Sequence, residues 1–272
     1  MATLVTFHAH PDDEALLTAG VMARAAAEGH RVVLVVATHG EAGEVDGAFL
    51  GDDDLGVRRV AETEQSALAL GVHRVEFLGY HDSGYDGRAE GGFVGVDADS
   101  AARRLAALLR EEQAEVLTTY DPRGGYGHPD HVRVHEVGRR AAELASTPVV
   151  LEATINRDLL IMAGELAPTL GFELPRDFVL PDMREVYVAA TEITHTVDVS
   201  TVLEQKRASM EAHASQATSG SGTTRTLGLF LSLPEDLYAL AFGVEWFVDR
   251  SAPPGAAYDD VFATLEHHTT SG

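Results

Sequence analysis

Five short runs rich in β-branched residues, separated by amphipathic stretches, fill the first 150 residues and constrain the fold of this chain most. Val5–Phe7, Arg31–Ala37, Arg74–Leu78, Val116–Tyr120 and Pro148–Leu151 read as strands. Several are apolar at nearly every position, the pattern of a parallel sheet covered on both faces. Between them the spacing predicts helices over Asp13–Glu28, Leu55–Leu70, Ser100–Glu112 and His131–Ala145, with Leu105, Leu108 and Leu109 recurring at helical intervals. Such alternation specifies an α/β fold, a Rossmann-like, mostly parallel sheet with right-handed crossovers and helices on both faces. Ligands of such sheets bind beyond the carboxyl ends of the strands.

Beyond about residue 156 the pattern is less regular. Strands are expected at Arg184–Ala189 and His195–Val199, a helix at Thr201–Ala214, and a short aromatic-bearing segment at Tyr238–Val248. Ser215–Arg225, reading SQATSGSGTTR, has the composition of a surface loop. Residues 1–155 therefore read as a Rossmann-like core. Residues 156–272 read as a smaller, irregular α+β portion that completes the domain.

Composition removes several classes of function. The 272 residues carry 20 basic and 43 acidic side chains, a formal net charge of −23. Phosphate backbones are bound by Lys and Arg displacing counterions, so nucleic acid is not the partner. An anionic membrane surface is excluded on the same ground. No run approaches the roughly 20 apolar residues of a membrane helix, and the first residues enter an apolar strand without a basic leader. The cytoplasm is the expected location, with the protein a monomer or a homo-oligomer. Cysteine is absent, which rules out disulfides, thiolate nucleophiles and cysteine-bound zinc.

Two segments carry chemistry. His8-Ala9-His10-Pro11-Asp12-Asp13-Glu14 follows the first strand, and Gly124-Gly125-Tyr126-Gly127-His128-Pro129-Asp130-His131 follows the fourth. Both fall at strand carboxyl ends and open helices, and each sets His and Asp around a proline that stiffens the turn. Imidazole and carboxylate together suit zinc, which at catalytic sites takes three protein ligands and leaves a position for water. His10, Asp13 and His131 are the expected ligands, leaving Asp12 to accept a proton. Either aspartate alone would read as a helix cap, but two such segments at matching positions favour a metal site.

The two motifs resemble the signatures of the LmbE-like (PIG-L) zinc-dependent de-N-acetylase superfamily. The resemblance covers the α/β part well and the rest loosely. It implies a Rossmann-like fold, one zinc ion per chain (with ferrous iron as the alternative), and hydrolysis of the N-acetyl group of an N-acetylglucosamine-type substrate. By motif position it makes His10, Asp13 and His131 the metal ligands and Asp12 the general base. It makes His128 the oxyanion-stabilising histidine, as its cation, Asp130 its orienting partner, and Tyr126 a tyrosine over the tetrahedral intermediate. More faintly, Glu44, Arg59 and Asp82 resemble residues lining the sugar pocket, and Lys206–Gln216 resembles a further element ending in His-x-x-Gln. The alternatives are a related amidase cleaving a bulkier amide or thiol conjugate, and a non-catalytic sugar-binding relative.

Other histidines invite attention. His131 and His135 stand four apart on one expected helix, a two-histidine zinc spacing, but Val132 replaces the glutamate of that motif. His8 alternates with His10 and should face the other way, into a structural role. His213 is placed equally well at the rim of the site or on the surface.

Overall fold

A computed structural model describes residues 1–45, 54–166, 182–218 and 225–265. Seven strands form one sheet in the order β3-β2-β1-β4-β5-β7-β6. They are β1 (Thr3–His8), β2 (Arg31–Thr38), β3 (Arg74–Tyr80), β4 (Val116–Tyr120), β5 (Val149–Thr154), β6 (His195–Asp198) and β7 (Val244–Val248). The first five are parallel, and β7 runs antiparallel to both β5 and β6. Strand order reverses between β1 and β4, which pair through Leu4–Val116, Val5–Leu117 and Thr6–Thr118. This is the switch point of the sheet, the place where open α/β sheets bind their ligands.

The central strands are covered on both sides. Val5, Phe7, Val33, Val35 and Leu117 pack against helices α4 (Ala98–Glu111) and α5 (Pro129–Ala145). On the opposite face Leu4, Val32, Leu34, Val36 and Val116 meet α2 (Ala19–Ala27) and α3 (Leu55–Leu70). The sheet continues past residue 156, because β6 and β7 extend its β5 edge.

Two local expectations are corrected. The stretch Asp13–Glu28 is two helices, α1 (Asp13–Leu17) and α2, broken at Thr18 with φ −139°. The groups released by the break find long-range partners. The Glu245 carboxylate accepts the Gly20 and Val21 N–H groups at 2.7 and 2.8 Å, and the Lys206 ammonium donates to the Leu16 carbonyl at 3.1 Å. A tertiary ion pair thus replaces one turn of helix. Arg184–Ala189 is not a strand: residues 183–187 form turns and a bend, and Val188 makes an isolated bridge to Asn156. Tyr187 has φ 52°, incompatible with extended backbone, and its N–H donates to the Gly125 carbonyl at 2.7 Å. Of the expected loop, residues 219–224 lie outside the described residues, whereas Ser215 and Gln216 are buried in a short helical turn.

Candidate active site

Both motif segments leave the sheet at the switch point, one from β1 and one from β4, and converge. The rings of His10 and His131 have centroids 5.4 Å apart, His10 and His128 4.6 Å, and His128 and His131 5.1 Å. Each of the three imidazoles offers a nitrogen within 4.8 Å of the others, and all three are buried. The Asp13 carboxylate lies between two of them, with Oδ2 3.4 Å from His10 Nδ1 and Oδ1 3.3 Å from His131 Nε2.

Neighbouring groups fix which nitrogen of each ring is free. His131 Nδ1 donates to the Gly124 carbonyl at 3.2 Å, so its Nε2 lone pair faces Asp13, buried and without a hydrogen-bond partner. His10 Nε2 donates to Asp130 Oδ2 at 3.2 Å, leaving Nδ1 toward Asp13. Burial works against a charged His10, yet Asp13, Asp130 and Asp82 together raise its pKa well above the ordinary value. A proton and a metal ion would compete for the same lone pair. Two histidine lone pairs and a carboxylate, one of them orphaned in the interior, fit a divalent cation. The paired glycines serve this geometry. Gly124 has φ 65°, and a Cβ there would stand 2.6 Å from the Cβ of His131.

Asp130 corrects an expectation. Its carboxylate does not turn to the His128 ring but accepts from His10 and from Ser83, whose N–H and Oγ lie at 2.9 and 2.5 Å. His128 is instead the N-cap of α5, its Nδ1 accepting the Asp130 backbone N–H at 3.2 Å. Burial, then the neighbouring His10 and His131, push its pKa down to about 4, outweighing Asp13 and Asp130. The positive end of the helix opposes a cation there too. His128 is therefore a neutral imidazole with Nε2–H as its remaining donor.

Asp12 sits in a backbone conformation unusual for a side-chain-bearing residue, φ 101° and ψ −24°. Its N–H donates to Glu14 Oε2 at 3.0 Å, and Arg59 holds its Oδ1 at 3.2 Å. Burial raises the Asp12 pKa to about 6; Arg59 and His213 oppose that shift, while Asp13 and Glu14 add to it. The other Arg59 contacts are the carbonyls of Gly40, at 2.8 Å, and Pro11. Helix α3 supplies Arg59, Glu62 and Ser66 from one buried face, at i, i+3 and i+7.

The remaining candidates divide. Asp82 is buried, its Oδ1 3.6 Å from His10 Nε2 and accepting the Gly84 N–H at 2.8 Å. Tyr126 is 41% exposed, its ring centroid 5.0 Å from that of His131. Glu44 stays at the surface and approaches Arg225 at 3.9 Å. His135 donates to the Tyr120 carbonyl at 2.8 Å and is not among the clustered imidazoles. His8 is buried, bonded to the Tyr120 hydroxyl at 2.9 Å and to Thr18 Oγ1 at 2.8 Å. Three supporting residues escape sequence reasoning. Tyr120 stacks on His131 at 4.4 Å, Ser83 grips Asp130, and Glu14 sits fully buried beneath Asp12. Glu14 alone had a signal, its place inside the first motif.

Known proteins resemble this chain over half of its length or more. The family described as GlcNAc-PI de-N-acetylase (PIG-L) matches residues 5–142. A 1D-myo-inositol 2-acetamido-2-deoxy-alpha-D-glucopyranoside deacetylase of Thermobifida fusca is 39% identical, covering 78% of this chain and 82% of its own. An enzyme of the same name from Rhodococcus opacus is 35% identical over 97% and 98% of the two chains. Among solved structures, the N,N'-diacetylchitobiose deacetylase of Pyrococcus horikoshii shares the fold with a TM-score of 0.58 at 23% identity, covering 93% and 84%.

Proposed function

The chain belongs to the GlcNAc-PI de-N-acetylase (PIG-L) family and is an amide hydrolase; from that premise we propose that it removes the N-acetyl group of a glucosaminyl inositol at a single zinc site. The observation that carries the chemistry is the buried, unpaired His131 Nε2 facing Asp13, with His10 Nδ1 on the carboxylate's other side. His10, Asp13 and His131 would hold the ion. Two imidazoles and a carboxylate suit zinc, and ferrous iron is the alternative with the same donors. When bound, the ion supplies a water of lowered pKa and polarises the amide carbonyl.

The chain's own groups do the rest. Asp12, with a pKa about 6, is ionised at neutral pH yet basic enough to take the proton of the attacking water. His128, neutral, donates Nε2–H to the oxygen that gains charge, a term worth about 3–4 kcal/mol in comparable sites. A neutral imidazole is a poor acid, so Asp12 returns its proton to the leaving amine. Asp130 orients His10 rather than His128, as the partner of a ligating histidine does elsewhere. Tyr126 covers the acyl end, and Asp82 and Glu44 contact the sugar. Arg59, occupied by Asp12 and two carbonyls, acts on the sugar chiefly through Asp12. Residues 1–155 form the catalytic core and 156–272 complete the pocket.

The inositol glycoside is favoured over a bulkier amide by relatives that bear its name and span most of this chain. Free-amine release from N-acetylglucosaminyl inositol, N-acetylglucosamine and larger amide conjugates tests it. The inositol glycoside should show the highest kcat/KM. Faster turnover of the conjugates would reassign the chain to amidase chemistry.

A further inference from the structure

His213 lies 199 residues from Glu14, yet the two meet in the interior at 2.5 Å, Nε2 to Oε1, both completely buried. Glu14 Oε1 also accepts from Ser66 Oγ at 2.7 Å, and Glu14 Oε2 takes the Asp12 N–H at 3.0 Å. The segment that carries His213 is tied down in its turn. Ser215 donates through its N–H and Oγ to the Glu62 carboxylate at 2.9 and 2.6 Å, and Ser209 Oγ meets Ser66 Oγ at 2.8 Å. Helix α6 (Leu203–Ala212) ends at His213, whose φ −82° and ψ 52° leave the helical region. The end of that helix is spent on placing one imidazole.

We propose that His213 is a positioning residue for Asp12: through Glu14 it holds the Asp12 main chain in its left-handed conformation and so aims the carboxylate that takes the proton. Asp12 at φ 101° has no side-chain cap of its own, and its N–H is held by Glu14, two residues on, which His213 in turn ties to the distant helix end. A buried carboxylate with no donor at Oε1 other than Ser66 would rotate to improve its hydrogen bonding. Its Oε2 would then leave the Asp12 N–H. The C-terminal portion thus reaches the proton-transfer group without touching substrate. This inference rests on Asp12 being the base.

The test uses full-length, metal-loaded enzyme and a double-mutant cycle. His213→Ala should lower kcat about 10–100-fold, the usual cost of removing an outer partner of a catalytic group, with KM and bound metal unchanged. His213→Gln, whose amide N–H falls near the place of Nε2, should recover most of that loss. His213→Asn, whose amide falls near Nδ1, should not. In an Asp12→Asn background, His213→Gln and His213→Asn should turn over within about twofold of each other, because residues that act through one another do not add. A Gln-against-Asn difference that persists at full size without Asp12 would overturn the proposal, as would losses that appear in KM or metal content. Wild-type turnover by Asp12→Asn alone would overturn the base assignment instead, so the two failures are told apart.

Discussion

Two buried clusters of charge flank the break between α1 and α2, and they are completed to different degrees. On the side of β7, the Glu245 carboxylate receives Gly20 N–H, Val21 N–H and the Lys206 ammonium, and Lys206 also reaches the Leu16 carbonyl. Four elements meet there, and neither side chain has a polar atom left orphaned among the described residues. On the side of β1, the His131 Nε2 and His213 Nδ1 atoms are buried without partners, and Asp12 sits in strained backbone. Buried polar groups are almost always satisfied, so a satisfied cluster is structure and an unsatisfied one awaits something more. The contrast separates the part of the interior that builds the fold from the part that does chemistry.

The contrast breaks most visibly at Asp12. Asp12→Asn keeps a residue tolerant of positive φ, so the turn should survive and bound metal should remain. Turnover should fall about 10²–10⁴-fold, the range for loss of a general base. The wild-type acid limb of kcat/KM, set by ionisation of Asp12 as pH rises toward about 6, should vanish with it. Wild-type turnover would remove Asp12 from the mechanism. A smaller effect, of a different kind, is expected at the completed cluster. Lys206→Met strands a buried Glu245 and should cost about 3–5 kcal/mol in denaturant unfolding, while kcat and KM of the folded protein stay at wild-type values. A variant of full stability and impaired kcat would reverse the roles assigned to the two clusters.

How much of this was legible follows from the range of the interactions involved. The parallel sheet and its helices were readable because their pattern is local: β2 is apolar from Val32 to Ala37, and β1 and β4 mix apolar residues with threonines. The motif histidines were readable because each sits with its aspartates in a span of a few residues. The break at Thr18 was not, since Glu245 stabilises it from 225 residues away. Nor was the partner of the Asp130 carboxylate, which sequence proximity assigned to His128 and the fold gives to His10, 120 residues distant. His213 could be seen as a candidate but not placed, because the Glu14 contact leaves no periodic trace. Strand propensity at Arg184–Ala189 lost to one hydrogen bond, from Tyr187 to the turn that carries Tyr126.

The number of divalent ions bound per chain, measured by elemental analysis of wild type and His131→Ala side by side, tests the metal site most directly. One ion per wild-type chain is predicted, removed by chelation together with activity and restored with it, and none in His131→Ala, which should be inactive. A His131→Ala protein that still binds one ion and turns over substrate would contradict the placement of the site between β1 and β4.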